Sequence, residues 1–127
     1  MDPERFEKGL AMRKAVLGEE YVERSLANAD DFTRPFQEVV TEFCWGFGWG
    51  DERLSPQIRS FMNLTMIAAL NRMDEWELHL NGALRNGITK DEIQAVIHHI
   101  AIYCGIPAGV NCQRIAKRVF AELETAE

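Results

Sequence analysis

The segment NRMDEWELHL, residues 71–80, contains three side chains that can transfer a proton or bind an anion. Arg72, Glu75 and His79 are three and four residues apart, so a helix would place them on one side. A carboxylate one turn before an imidazole favours the charged form of the ring, whereas burial opposes charging. An imidazole that titrates near neutrality can move a proton, and a guanidinium can hold a carboxylate. The spacing is therefore compatible with an acid–base site.

The same three residue types at this spacing more often form an ordinary solvated helix face. Each i,i+4 pair on such a face contributes only about 0.2–0.5 kcal/mol. The predicted buried stripe of this helix is Trp76, Leu80, Ala83 and Leu84, and His79 lies at its edge. Spacing alone leaves both interpretations open.

The helix that would carry these residues belongs to a chain whose apolar period is close to 3.6 nearly throughout. No run shows the strict alternation of a half-buried strand, so an all-α fold is predicted. Short loops favour an antiparallel helical bundle, and no linker or repeat divides residues 1–127, which we interpret as one domain.

Capping and breaking residues set the predicted bounds of the helices. A first helix spans residues 3–17, a weaker one residues 20–29, and Asp30 or Asp31 would cap a third. Glycines predict that CWGFGWGDERL is a loop. The next three helices are predicted to begin at Ser55 with Pro56, at Asp74 and at Thr89, and the last helix to end near Leu123. The third helix has the apolar stripe Phe36, Val39, Val40, Phe43 and Phe47.

Composition and charge exclude several classes of protein. Twenty acidic against 14 basic residues give a net charge of −6, which disfavours a nucleic-acid partner. The most apolar stretch is too short to span a bilayer. The start of the sequence lacks the basic and apolar regions of a secretory signal, so we expect a cytoplasmic protein.

Neither the cysteines nor the histidines indicate a metal or redox centre. Three cysteines without C-x-x-C spacing, Cys44, Cys104 and Cys112, are more typical of buried hydrophobic side chains. Adjacent His98 and His99 point about 100° apart on a helix and rarely bind one ion together. We therefore expect no metal and no cofactor.

The pattern NRMDEWELHLNGALRNGITKDEIQAVIHHIAIYCGIPAGVNC resembles the carboxymuconolactone decarboxylase family, and the likeness extends from RFEKGLAMRKAVLG to VFAEL. The resemblance implies an all-α subunit that assembles as a homohexamer, with sites lined by more than one subunit. The related alkylhydroperoxidase-type proteins carry a redox C-x-x-C that would fall at Arg72 and Glu75. Because both thiols are missing here, the peroxidase activity is not expected.

By the same resemblance, the family's histidine corresponds to His79 and its glutamate to Glu75, the expected catalytic pair. Arg72 and Arg59 are the expected substrate-binding cations. The aromatic loop predicts Trp45 and Trp49 as substrate contacts. Phe47 stands in that loop where the family commonly has an acidic residue, which suggests a changed substrate.

The implied activity is decarboxylation of 4-carboxymuconolactone, a carboxylated lactone of protocatechuate catabolism, to the enol-lactone of the β-ketoadipate pathway. The electrons left by CO2 run through the double bond into the lactone carbonyl, so the substrate needs no cofactor as electron sink. Two alternatives are a non-catalytic helical assembly or stress-response protein on the same fold, and a thiol-dependent reductase that uses Cys104 or Cys112.

Overall fold

The computed structural model describes residues 1–126, which contain seven α-helices and one π-helix. In chain order they are α1 (Pro3–Leu17), α2 (Glu19–Ala27), α3 (Arg34–Val39), the π-helix (Val40–Gly48), α4 (Pro56–Ala69), α5 (Met73–Arg85), α6 (Lys90–Cys104) and α7 (Ile106–Ala126). No strand occurs in the described residues, and the all-α class is confirmed. Internal contacts divide the chain into two compact units, Met1–Pro56 and Gln57–Glu127. The single domain over residues 1–127 stays a prediction.

In the first unit, α1 and the π-helix pack at very short range because glycines face each other. A Cβ atom on Gly9 would lie 2.0 Å from the Thr41 carbonyl oxygen and 2.7 Å from the Gly46 nitrogen. A Cβ atom on Gly46 would lie 2.4 Å from the carbonyl oxygen of Arg5. Only glycine permits so close an approach of two backbones. These two positions therefore fix which face of the π-helix is buried.

The π-helix corrects the first part of the loop predicted for CWGFGWGDERL, whose last six residues, 49–54, are non-helical as predicted. The chain stays helical up to Gly48, and the N–H of Trp49 donates to the carbonyl of Cys44 at 3.0 Å, a span of five residues. Sequence pattern failed here because Gly46, a helix breaker by propensity, is required for contact with α1. The same contact turns most of the predicted apolar stripe outward, leaving exposed Phe36, Val39, Phe43 and Phe47.

The second unit contains α4 to α7 around one hydrophobic core. Trp76 is fully buried at its centre, and its indole N–H donates to the carbonyl oxygen of Leu64 at 3.0 Å. This bond holds α5 against α4 in one rotational setting. The fully buried large side chains of this core are Leu64, Trp76, Leu80, Ile93, Ile100 and Val119.

Most predicted helix starts lie close to the observed ones, and one cap is wrong. Pro56 begins α4, and the Thr89 hydroxyl and Glu92 carboxylate form the reciprocal capping box of α6. The Asp30 carboxylate accepts from the N–H groups of Phe32 and Thr33, in the geometry of a helix cap, and α3 itself begins at Arg34. Asp74 lies within the first turn of α5, whose N-cap is Arg72.

The cysteines differ from the expectation that each is buried. Only Cys112 is buried among them, whereas Cys44 and Cys104 are exposed. Within residues 1–126, no helix has both the length and the apolar character needed to cross a membrane.

Candidate active site

Helix α5 positions the candidate acid–base residues. Asp74 and Glu75 in its first turn and Arg85 in its last turn complement the helix dipole. Three members of the predicted buried stripe, Trp76, Leu80 and Ala83, have no exposed surface, whereas the fourth, Leu84, is only partly buried. Apart from the buried Gly82, the other positions of α5 lie at the edge of the core or in solvent.

Glu75 and His79 lie one helical turn apart, and they interact electrostatically. Glu75 is exposed and His79 is partly buried. Burial lowers the pKa of His79 below its ordinary value of 6.5, and the Glu75 carboxylate opposes this by raising it. The two effects anticipated from the sequence are thus both present, and burial is the larger. At neutral pH the imidazole is therefore mainly uncharged.

Arg72 provides a cation at the start of the same helix. Its side chain is exposed, and within residues 1–126 its guanidinium makes no hydrogen bond or ion pair. An exposed guanidinium of this kind can take a carboxylate with two parallel hydrogen bonds. Arg59, the second predicted cation, is partly buried on α4, the helix that accepts the Trp76 hydrogen bond.

Trp45 and Trp49, the predicted aromatic substrate contacts, are in the first unit. Their rings stack on each other with centroids 5.0 Å apart, and both side chains are buried. Phe47 between them is exposed and borders a groove of about 430 Å³ with Arg5 and Lys8. The side chain of Phe47 is therefore far more exposed than that of Trp45 or Trp49.

Other reactive side chains do not form an obvious centre. No group of three His, Cys, Asp or Glu side chains in residues 1–126 is placed to hold a metal ion. His99 packs its ring against Tyr103 with centroids 4.8 Å apart, and His98 lines a separate groove of about 460 Å³ between α6 and α7. Burial raises the pKa of the Cys112 thiol to about 11, which suppresses the nucleophilic thiolate.

Sequence reasoning missed one residue that helps to build this site, Asn71. Its backbone is left-handed, with φ 58°, directly before Arg72. The signal was available, since asparagine after an apolar helix is a common left-handed terminating residue.

An all-α chain that pairs a glutamate with a partly buried histidine on one helix has the groups for acid–base chemistry without a metal. Comparison with known proteins agrees with this class. The sequence profile of the carboxymuconolactone decarboxylase family matches residues 34–118. The chain therefore belongs to the carboxymuconolactone decarboxylase family.

Two relatives are similar over most of their length. A 4-carboxymuconolactone decarboxylase of Acinetobacter baylyi is 39% identical over 125 residues, which cover 98% of this chain and 93% of the relative. A nitrosuccinic acid decarboxylase of Metarhizium robertsii is 39% identical over 118 residues, covering 93% of this chain and 82% of the relative. Both names are those of carboxy-lyases, but the two acids are chemically different.

Proposed function

We propose that the protein is a cytoplasmic, cofactor-independent carboxy-lyase that decarboxylates 4-carboxymuconolactone to the enol-lactone in protocatechuate catabolism. The observation that carries the proposal is the arrangement on α5. Glu75 raises the pKa of His79, and Arg72, whose guanidinium has no partner within residues 1–126, is the N-cap of the helix. Relatives that are decarboxylases over nearly the whole chain support the same reaction class.

The acids named for the two relatives share one chemical requirement. In 4-carboxymuconolactone the electrons of the broken C–C bond pass through a double bond to the lactone carbonyl. In nitrosuccinic acid they pass from the carboxylate-bearing carbon to the adjacent nitro group. Each reaction releases CO2, leaves an anion centred on oxygen, and ends when a proton is added to carbon. A protein for either acid must bind carboxylates, stabilise that oxyanion and donate one proton.

We assign the first and the last of these tasks, carboxylate binding and proton donation, to residues of α4 and of α5 with its N-cap. Arg72 and Arg59 bind the substrate carboxylates as cations. His79 donates the proton to carbon and then takes up another proton from solvent. Glu75 orients the His79 imidazole. Because a bound dianion favours the charged imidazole, substrate binding should raise the lowered pKa of His79 toward neutrality. The proton is then held next to the carbon that needs it.

We propose separately that Trp45 and Trp49 contact the substrate. Because both rings are buried and stacked, only a small part of each indole is available to a ligand. Replacing Trp49 by Phe keeps an aromatic ring and removes the indole N–H. An altered KM with unchanged helix content would support contact with the substrate.

We also propose that the subunits assemble as a homohexamer. The described chain leaves large apolar side chains exposed in both units, and a patch of this kind usually marks a protein interface. In the first unit these are Phe32, Phe36 and Phe47; in the second they are Ile102, Tyr103 and Ile106. Light scattering after size-exclusion chromatography measures the assembly directly, and a monomer at micromolar concentration would contradict it.

Nitrosuccinic acid is the second candidate substrate, and the similarity to the Metarhizium robertsii relative favours testing it. Phe47, exposed where the family pattern commonly has an acid, is the first residue to replace if the lactone is a poor substrate. A Phe47→Glu variant with a reversed preference between the two acids would identify this position as a specificity determinant.

The test is the ultraviolet time course of freshly generated 4-carboxymuconolactone with the wild-type protein, with His79→Ala, and with buffer alone. We expect fast formation of the enol-lactone, and a loss of about a hundredfold or more in His79→Ala, as for removal of a general acid. Unchanged helix content in the variant is the control. If the wild type neither accelerates decarboxylation nor binds the lactone acid, the non-catalytic helical assembly replaces this proposal.

A further inference from the structure

The corner between α4 and α5 places a residue other than glycine in a left-handed backbone conformation. Among residues 1–126, Asn71 is the only non-glycine residue with a positive φ, 58°. Side chains with a Cβ atom disfavour this left-handed region, and asparagine is one of the few residues that tolerate it. The corner therefore depends on the residue type at position 71.

Two hydrogen bonds show how Asn71 ends α4. Its own N–H donates to the Ala68 carbonyl at 3.0 Å, and the N–H of Arg72 donates to the Ile67 carbonyl at 3.1 Å. This pair of bonds, with a left-handed residue between them, is the Schellman motif of helix termini. Asn71 thus makes the turn that brings the Arg72 N–H back onto α4.

The same turn also begins α5. Arg72 is its N-cap residue, with φ −104° and ψ 78°, and its carbonyl accepts from the N–H of Trp76 at 2.9 Å. The backbone of Arg72 is consequently held on both sides, by α4 through its N–H and by α5 through its carbonyl. Trp76 is itself fixed in the core by its bond to Leu64. The starting point of the Arg72 side chain is therefore rigid.

The side chain of Asn71, unlike its backbone, takes no part in the hydrogen bonds of the turn. It is exposed, and within the described residues its amide makes no hydrogen bond. What the structure uses at position 71 is thus the tolerance of a left-handed φ and not a side-chain contact. Glycine shares that tolerance, whereas a β-branched residue does not.

We propose that Asn71 is a positioning residue for substrate binding, which acts by presenting the guanidinium of Arg72 in one place at the start of α5. The inference rests on the proposed function, in which Arg72 binds a substrate carboxylate. A chain that samples other corner conformations presents Arg72 correctly only part of the time, and its apparent affinity falls by that fraction. The decarboxylation step itself does not involve Asn71.

The test compares Asn71→Gly, which keeps the left-handed turn, with Asn71→Val, which opposes it, in steady-state kinetics with 4-carboxymuconolactone. We expect KM to rise about tenfold in Asn71→Val with a much smaller change in kcat, and to stay within about twofold of wild type in Asn71→Gly. If Asn71→Val does not fold, Asn71→Ala is the milder variant of the same kind. A purely structural role would lower the unfolding temperature without this separation of KM from kcat.

Arg72→Gln distinguishes the inference from the function on which it rests. If Asn71 acts through Arg72, adding Asn71→Val to Arg72→Gln raises KM no further. The inference is overturned if Asn71→Val raises KM equally in the wild-type and Arg72→Gln backgrounds, or if it does not raise KM in the wild-type background. If the wild type converts neither 4-carboxymuconolactone nor nitrosuccinic acid, the proposed function fails instead. The inference is then decided by hydrogen exchange of the Arg72 N–H, which donates to the Ile67 carbonyl. Faster exchange in Asn71→Val than in Asn71→Gly supports a corner set by residue 71, and equal exchange in the two variants overturns it.

Discussion

Glu75 and His79 lie one turn apart on α5, and the carboxylate raises the pKa of an imidazole that burial lowers. The pair sits where the helix passes from solvent to core, because Glu75 is exposed and His79 is partly buried beside Leu80. The protonation state of His79 is therefore set by two opposing effects that can be separated by substitution.

Removing the carboxylate should lower the pKa of His79 further. In Glu75→Gln the burial of the imidazole remains while the favourable charge is lost. NMR titration of the imidazole signals measures the shift. Asp74→Asn, the same charge change one residue earlier in the same turn, is the matched control and should have the smaller effect. An unchanged or raised pKa in Glu75→Gln would contradict the pairing.

The lowered pKa of His79 also predicts how stability depends on pH. Between its folded and unfolded pKa values, the unfolded chain binds more protons than the folded one, so acidification favours unfolding. The free energy of unfolding should therefore decrease as the pH falls from neutral through the folded-state pKa. Urea unfolding over this range should show a smaller decrease for His79→Gln than for wild type. Identical pH dependence in the two proteins would argue against a buried, uncharged His79.

Adding a methyl group at Gly9 should destabilise the first unit. The new Cβ would lie 2.0 Å from the backbone oxygen of Thr41, which cannot rotate away, so α1 and the π-helix would have to separate. Overpacking of this kind costs about 1–3 kcal/mol. Gly48→Ala is the control, since its Cβ would meet its nearest neighbour at 3.6 Å. Chemical unfolding followed by tryptophan fluorescence compares them, and equal stability of the two variants would be evidence against the close contact.

Loss of the α6 capping box should weaken the second unit. In Thr89→Ala the hydroxyl that accepts from the Glu92 N–H at 3.1 Å is removed, and about 0.5–2 kcal/mol of stability with it. Thr125→Ala, which removes a hydroxyl near the end of α7, should cost less. Urea midpoints for both variants provide the comparison. A Thr89→Ala protein as stable as wild type would show that other contacts determine where α6 starts.

The three cysteines should differ in their reaction with iodoacetamide. Cys112 is buried with a pKa raised to about 11, so at mildly alkaline pH it should react far more slowly than the exposed Cys104. Mass spectrometry of peptides after short labelling measures each site, with the unfolded protein as the control for full reactivity. If the protein keeps its measured catalytic activity after all thiols are labelled, the thiol-reductase alternative is excluded. Complete loss of that activity would support the alternative.

Much of the fold was predictable because the signals are local. Periodicity near 3.6 predicts the helices, Pro56 and the Thr89 capping box predict two of their starts, and Trp76 with Leu80 predicts the buried stripe of α5. The same spacing places Glu75 and His79 together. These features depend on residues within a few positions of each other, which the sequence records directly.

Local sequence patterns therefore account for the all-α class, most helix bounds and the pairing of Glu75 with His79. The larger effect of burial than of the carboxylate on the pKa of His79 comes from packing, since burial depends on residues distant in the chain. The π-helix was decided in the same way, because the contact between Gly9 and Gly46 overrides the local preference of glycine to end a helix. Local patterns give the elements, and packing between elements selects the buried face.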